Sequence, residues 1–245
     1  MIKGGESLKQ GHKRIWSRII ASILALMIAV VALIFIFNKQ ITNSLIASYQ
    51  PRVTKASVKA GNQHKIKKSD YNFKKVKSLS LQTVAQAKQN TDDIAVVGEI
   101  LIPADNIHLP IGKGVSNNTL SFAAGTMALN QVMGKGNYAL AGHHMETSKS
   151  ILFSPLYWQA KKGQAIYLTD AQKVYEYRVT KRKFISAYDV DVINPTRKPM
   201  VTLITCDATG ANRLLIQGDL VKVSSYKKMN QHILDGFSSS FNNQG

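Results

Sequence analysis

The chain has 245 residues, with 32 Lys and Arg against 14 Asp and Glu, and 44% of its residues are apolar or aromatic. This composition excludes a wholly disordered protein, and the length leaves room for one domain of about 150 residues besides its tails. Residues 1–90 hold 16 basic and 2 acidic side chains, whereas residues 91–245 hold 16 and 12. Because most of the excess charge lies outside the balanced body, we predict no nucleic-acid partner.

The first candidate element is an apolar run of 19 residues from Ile19 to Phe37, in which Ser22 is the only polar member. As a helix it would span about 28 Å, close to the hydrocarbon thickness of a bilayer. Five basic residues precede it and three occupy the next twenty positions, which favours a cytoplasmic N-terminus. We predict a cytoplasmic tail over 1–18, one transmembrane helix over 19–37 and an extracellular remainder at the cell membrane. A cleaved signal peptide is the alternative, but its apolar stretch is usually shorter.

The next segment, residues 38–75, is rich in Lys, Ser, Asn and Gln. Few apolar groups are available there to offset the entropy of ordering the chain, so we predict a flexible basic stalk. Its lysines are either simply solvated or in contact with an anionic surface. The folded domain is then expected over 76–245, beginning with one short docking helix whose apolar positions are Val76, Leu79, Val84 and Ala87.

From Ile94 onward, short apolar stretches alternate with turn signals, which is typical of an all-β barrel or sandwich. The β-branched and aromatic residues of VYEYRV (174–179) and VTLIT (201–205) favour strands. Helical patterns are predicted only over 118–122, over 150–158 and in a tail after Lys228. The fold class is therefore mainly β with a few short helices.

The single cysteine, Cys206, ends the strand VTLITC and precedes the loop sequence DATGAN. A thiol at such a strand end can meet a substrate, although a buried and inert cysteine is the alternative. The thiolate is the nucleophilic form, and a nearby cation favours it. Arg213 opens the following strand, so a hairpin would bring it near Cys206. There its guanidinium could also stabilise an oxygen that becomes negative during acyl transfer.

Two adjacent histidines, His143 and His144, close the run NYALAGHH (137–144). An imidazole can take or give a proton near neutral pH, which acyl transfer requires when an amine leaves. Neighbours in a strand point to opposite faces, so only one of the pair can face Cys206, and the pattern does not choose between them. We predict no metal site, because adjacent histidines lack the usual ligand spacing and no CxxC motif occurs. The remaining histidines are interpreted as structural or surface residues: His12, His64, His108 and His232.

Several segments together resemble the sortases, most closely the class A, housekeeping type. They are TLITC (202–206) with Arg213 seven positions later, LAGHH (140–144), GEILIPADNIHLPIG (98–112) and LSFAAGTM (120–127). The resemblance covers about residues 94–223, and an N-terminal anchor without a C-terminal membrane segment is similar to class A. It implies a single sortase-type eight-stranded β-barrel, preceded by a transmembrane helix, on a Gram-positive cell.

The resemblance also implies a reaction, transpeptidation. Cys206 would attack the Thr–Gly carbonyl of an LPXTG sorting signal on a surface protein and form a thioacyl enzyme. An amine of lipid II or peptidoglycan would then release the protein. His143, the first of the pair, would protonate the leaving amine, and Arg213 would hold the substrate and stabilise the oxyanion.

Further positions match less specific parts of the family pattern. Ala123, Ala141 and Ile204 would line an apolar groove for the Leu-Pro end of the signal, with Thr205 beside the nucleophile; ordinary barrel core is the alternative. Residues 188–198 are expected to form a loop that closes over the substrate. Some class A members bind calcium through clustered carboxylates. In this chain, residues 100–143 contain a single carboxylate side chain, that of Asp105. We therefore predict no cofactor and calcium-independent activity.

Two other functions remain open at this point. One is a non-catalytic, membrane-tethered β-domain that binds the cell wall or lipid through its basic stalk. The other is a hydrolytic cysteine endopeptidase that uses water as the acceptor. Thiol modification and added amines distinguish these from a transpeptidase.

Overall fold

The computed structural model describes residues 5–145, 148–207 and 210–243. The chain divides into two units, residues 1–41 and 42–245. Residues 1–4 of the predicted cytoplasmic tail and residues 244–245 of the predicted domain lie outside the described residues.

The first unit consists mainly of one long helix, α1 (Gly5–Ile36). Its segment Ile15–Ile36 is long and apolar enough to cross a membrane, judged by length and composition. Every side chain of that segment is exposed, as a lipid-facing helix requires. This segment overlaps the transmembrane run predicted over 19–37.

Three helices precede the barrel: α2 (Asn38–Ala47), α3 (Lys55–Gln63) and α4 (Leu81–Lys88). The second unit includes residues 42–75, so the structure differs here from the predicted flexible stalk. Ile46 and Tyr49 are buried in the main hydrophobic core, and Val58 on α3 is only 3% exposed. The apolar residues of this stretch are few, but their spacing puts them on faces that can be buried, which average composition does not reveal.

Local signals set the limits of α3 and α4. Thr54 and Ser57 form a reciprocal capping box at the start of α3. Ser80 caps α4 by accepting a hydrogen bond from the Thr83 N–H. Val84 and Ala87 of α4 are fully buried, so the docking helix predicted after Val76 is confirmed, although it starts at Leu81.

Eight strands close into a barrel in the order β1-β2-β3-β4-β7-β8-β6-β5. The mainly β fold and the eight-stranded barrel are thus confirmed. The strands are β1 (Val96–Ile102), β2 (Ile107–Gly112), β3 (Ala124–Thr126), β4 (Asn137–Ala141), β5 (Ala165–Thr169), β6 (Lys173–Ser186), β7 (Met200–Cys206) and β8 (Asn212–Ser225).

Two strand pairs are parallel, β2 with β3 and β4 with β7, and the other neighbours run antiparallel. A parallel pair needs a long crossover, and between β4 and β7 the chain forms β5 and β6. Both β4 and β7 therefore end at the same edge of the sheet.

Three short helices lie within the body: α5 (Asn117–Phe122), α6 (Ser154–Gln159) and α7 (Gln231–Ser238). They correspond to the three helical segments predicted for the body. The prediction over 150–158 starts too early, because Pro155 occupies the first turn of α6, where its missing N–H costs nothing, and Leu152 has a left-handed φ of 51°.

Strand β7 shows why the sheet is apolar on both faces. Val201 and Leu203 are fully buried in the barrel core, together with Leu214 of β8. Ile204 belongs to a second apolar cluster with Leu215 on the outer face of the sheet. Residues 192 and 193 of the β6–β7 connection pack on that outer cluster. The outer face is thus partly covered, and the uncovered remainder forms a cavity.

Candidate active site

A cavity of about 600 Å³ lies on the outer face of the sheet, at the ends of β4, β7 and β8. Its size falls within the range usual for small-ligand sites. Side chains from separate stretches of the chain meet there, including His143, Cys206 and Arg213.

Strand pairing positions Cys206 and Arg213. They are direct partners in the antiparallel register of β7 and β8, as the short connection predicts. Cys206 is half-buried. The Nη1 of Arg213 donates to the carbonyl oxygens of Gly210 and Asn212, each at 2.9 Å. These bonds hold the guanidinium beside the β7–β8 loop, and its five N–H donors are enough to meet a further acceptor as well.

The parallel register of β4 and β7 positions His143. Ala141 lies opposite Ile204, and the Gly142 N–H donates to the Ile204 carbonyl at 3.1 Å. His143 follows two residues after Ala141, and Cys206 two residues after Ile204, so both residues lie at the same end of the paired strands and both line the cavity. The His143 carbonyl accepts a hydrogen bond from the Phe153 N–H, which fixes the backbone after the strand ends.

Burial governs the charge of His143. The residue keeps some exposed surface, but the surrounding protein desolvates its imidazole and lowers its pKa to about 4. His143 is therefore neutral at neutral pH, and a neutral imidazole has one nitrogen free to accept a proton.

His144 has a different environment from its neighbour. Its ring stacks on the Tyr157 ring, with centroids 4.8 Å apart and an interplanar angle of 11°. It also lines the cavity, and its Nε2 is buried without a hydrogen-bond partner among the described residues. The structure thus distinguishes two histidines that the sequence pattern leaves equivalent.

The predicted groove residues divide into two groups. Ala141, Ile204 and Thr205 line the cavity, whereas Ala123 is fully buried directly after α5 and lies outside the described lining. Leu120 and Met127, which flank it in the chain, line the cavity instead. Thr205 is 2% exposed, and its Oγ1 has no partner in the described part of the chain.

Two further walls come from loops. The β6–β7 connection contributes Ala187, Asp189, Val190, Val192 and Ile193, within or beside the loop expected over 188–198. The opposite side contains Phe73 and residues 76–79, which sequence analysis assigned to the stalk and the docking helix. The sequence signal for this wall was an apolar residue at every third position, Phe73, Val76 and Leu79, within a lysine-rich stretch.

Metal ligands are scarce around this site. The described residues hold no group of three or more His, Cys, Asp or Glu side chains that could bind a metal ion. Asp105 is 1% exposed and accepts a hydrogen bond from Gln164 Nε2 at 2.8 Å. A single buried carboxylate that is already bonded does not fit a calcium site, and calcium independence stays a prediction.

The cavity therefore combines a thiol, a neutral imidazole and a guanidinium. A thiol next to a proton acceptor can form a covalent intermediate, and a guanidinium can stabilise the negative oxygen that this step creates. The remaining walls combine apolar side chains with a few polar and charged ones, which suits an extended peptide. The geometry supports acyl transfer from a peptide bond.

Comparison with known proteins gives consistent matches. The Sortase domain family model matches residues 100–221. Sortase A of Streptococcus agalactiae is 39% identical over 228 residues, which cover 90% of this chain and 92% of that relative. Sortase A of Listeria monocytogenes is 38% identical over 209 residues, covering 84% and 93%. The solved structure of Listeria monocytogenes sortase A has a TM-score of 0.55 at 42% identity and covers 59% of this chain and 98% of its own.

Proposed function

This chain belongs to the sortase family, as a transpeptidase of class A, and from that membership we propose that it cleaves LPXTG-type sorting signals between Thr and Gly and joins the protein to an amine of lipid II. The observation that carries this proposal is the meeting of His143, Cys206 and Arg213 in one cavity. His143 and Arg213 are separated by 70 positions in the sequence, so it is the fold that brings the three residues together.

In the first half-reaction Cys206 is the nucleophile. The neutral His143 accepts the thiol proton as sulfur attacks the Thr carbonyl carbon, and the carbonyl oxygen becomes an oxyanion. Arg213 donates hydrogen bonds to that oxygen. The C–N bond to Gly then breaks, the imidazolium gives its proton to the leaving amine, and a thioester remains on Cys206.

The second half-reaction reverses these roles. His143, neutral again, accepts a proton from the incoming amine as its nitrogen attacks the thioester carbonyl. The C–S bond breaks, the sulfur is reprotonated, and a new amide links the protein to the acceptor. The low pKa of His143 keeps its imidazole neutral before each step and makes the imidazolium a strong acid towards the leaving group.

The sorting signal lies in the cavity with its Leu-Pro end against apolar side chains. Ala141 and Ile204 provide this surface, and Thr205 lies beside the nucleophile with a hydroxyl that has no hydrogen-bond partner among the described residues. Ala123 is fully buried, so it would support the groove residues from beneath rather than touch the signal. Small and branched apolar groups admit a proline ring without burying unpaired polar atoms.

The apolar segment of α1 anchors the enzyme as a single-pass membrane protein, with its N-terminus in the cytoplasm and its barrel outside. Its partners there are surface proteins with LPXTG signals, and lipid II or peptidoglycan supplies the amine. Both partners are reached on the outer side of the membrane.

The test uses the full chain with an LPXTG peptide and oligoglycine. Because Cys206 is the only cysteine, alkylation modifies a single site, and both alkylation and Cys206→Ala should abolish cleavage and ligation. We expect His143→Ala to lower the rate by about 10²–10⁴-fold and Arg213→Ala by about 10²–10³-fold. The matched controls are His232→Ala and Arg52→Ala, two exposed residues that do not line the cavity.

The products separate this function from its alternatives. Ligated peptide in the presence of oligoglycine supports transpeptidation, whereas hydrolysed peptide alone would indicate an endopeptidase. Absence of both products from the unmutated chain would overturn the proposed function.

A further inference from the structure

A group of aromatic side chains lies beside the cavity and takes no part in the proposed chemistry. The ring of Tyr157 stacks on His144 and meets Trp158 edge-on, with centroids 4.8 Å apart at 73°, and Phe184 at 5.9 Å and 60°. Trp158 is 49% exposed and Phe184 is 47% exposed. We call these four residues the aromatic platform. Two large apolar rings half-exposed at one place on a folded surface indicate a binding function.

Two cations accompany the platform. The Nζ of Lys149 lies 4.4 Å from the centroid of the Trp158 ring, and the Cζ of Arg182 lies 5.7 Å from that of Phe184. Arg182 also donates to the Tyr157 carbonyl at 2.9 Å, which ties its guanidinium to α6. Its Nε is buried without a hydrogen-bond partner among the described residues.

An acidic group, Asp105, lies near one of these cations, Arg182. It interacts electrostatically with Arg182 and Lys161, but it is 1% exposed and its burial raises its pKa to about 6. Above pH 6 this carboxyl is ionised and offsets one positive charge, which leaves a net positive charge among Lys149, Lys161, Arg182 and Asp105. The exposed surface of the aromatic platform is therefore positive, and it is complementary to an anionic ligand.

The platform begins where the cavity ends. His144 belongs to both, since it lines the cavity and stacks on Tyr157. Phe184 directly precedes Ile185, which lines the cavity from β6. Alternation along a strand turns these two neighbours to opposite faces of β6, so the platform adjoins the cavity at His144. A ligand on the platform can thus extend a group into the cavity beside His143.

We propose that the aromatic platform binds the saccharide–pyrophosphate part of the amine-bearing acceptor while its amine enters the cavity. The C–H faces of a sugar ring pack on exposed aromatic rings, and the phosphate charge is met by Lys149 and Arg182. This inference rests on the proposed transpeptidation, whose second substrate it locates.

The size of the platform argues for a small ligand over a protein. Stable protein interfaces bury about 1,200–2,000 Å² in total, far more than two half-exposed rings provide. A sugar ring and its phosphates require a combination of aromatic faces and cations, and both are present.

The test compares two acceptors in the full chain, oligoglycine and purified lipid II. With Trp158→Ala or Phe184→Ala, we expect the KM for lipid II to rise about tenfold, a loss of one stacking contact. The KM for the LPXTG peptide, the rate of thioester formation and transfer to oligoglycine should not change. Trp158→Tyr should restore the KM for lipid II, because it keeps an aromatic face. Matched controls are Val221→Ala and Lys222→Gln, exposed residues of β8 outside the platform.

Direct binding gives a second measurement that does not depend on activity. The chain has two tryptophans, so Trp16→Phe leaves Trp158 as the sole tryptophan, which can be excited selectively at wavelengths above those that tyrosine absorbs. Lipid II should shift or quench its emission, and oligoglycine should leave it unchanged.

The outcomes separate this inference from the proposed function. Normal thioester formation with an unchanged KM for lipid II in both alanine variants would overturn the platform and leave the transpeptidase intact. Equal losses with oligoglycine and lipid II would also overturn it, since the rings would then support the cavity rather than the ligand. Failure of the unmutated chain to cleave the peptide would overturn the proposed function itself.

Discussion

A single glycine tests whether the segment before the barrel is folded against it. A Cβ added at Gly61 in α3 would lie 2.0 Å from the carbonyl oxygen of Val96 and 2.8 Å from its carbonyl carbon. Both contacts are with backbone of β1, which cannot rotate away as a flexible side chain can. Gly61→Ala therefore forces α3 off the strand or bends the strand itself.

Two effects of opposite sign compete in Gly61→Ala. Alanine in a helix interior is favoured over glycine by about 1 kcal/mol, which would stabilise a free helix. Overpacking a close contact costs about 1–3 kcal/mol, and a backbone contact this short belongs at the upper end of that range. Moving α3 also exposes Val58, which is 3% exposed in the fold. We expect a net loss of about 1–2 kcal/mol in the free energy of unfolding.

Thermal unfolding of the full chain in detergent micelles, followed by circular dichroism, measures this loss. At roughly 2–4 °C per kcal/mol for a domain of this size, Gly61→Ala should lower the Tm by about 2–8 °C. Asn62→Ala is the matched control, because its side chain is exposed on the same helix and only helix propensity changes. It should raise the Tm slightly. A rise in Tm for both variants would show that α3 does not pack on β1 and would refute the reasoning.

Three further predictions concern ionisable groups. Because burial lowers the pKa of His143 to about 4 from 6.5, stability should fall as the pH drops from 6.5 towards 4. His143→Gln should remove up to about 3 kcal/mol of that loss of stability. Urea unfolding at pH 7 and pH 4 measures it. If the variant and the unmutated protein lost the same stability between the two pH values, the lowered pKa of His143 would be contradicted. For Asp105 the pH dependence of stability has the opposite sign. Burial raises its pKa from 3.8 to about 6, so above pH 6 the fold contains a buried, ionised carboxylate that destabilises it. Asp105→Asn keeps the bond from Gln164 and should raise the Tm at pH 8 but not at pH 4; an unchanged Tm at both would contradict it. Adding calcium to the chelated enzyme should leave the transfer rate unchanged, and a clear increase would overturn the predicted calcium independence.

Local pattern predicted the strands well because several of them are buried on both faces and therefore form short continuous apolar runs. In β7, the residues at 201 and 203 point into the core and Ile204 packs outside, so the whole stretch is apolar. The strand order was not readable from such patterns, because every stretch is apolar enough to pair with several others. The eight-stranded barrel came from the family resemblance, and the structure confirms it.

Two features could not be read from the sequence pattern, because the deciding contacts are remote in sequence. Residues 42–75 look like a solvated linker until Ile46 and Tyr49 meet the barrel core. The choice between His143 and His144 depends on the register of β4 against β7 and on a ring from α6. Alternation along one strand shows that the two differ, but not which one faces the cysteine.

The parallel pairing of β4 and β7 has a consequence for diversification. Both strands end at the same rim, so one local register sets the positions of the imidazole and the sulfur. The residues between the two strands form an excursion that includes α6, β5 and β6. Insertions or deletions in that excursion can reshape the recognition surfaces without disturbing the reactive pair. Engineers who seek new acceptor preferences should accordingly randomise the excursion and leave the two strand ends untouched.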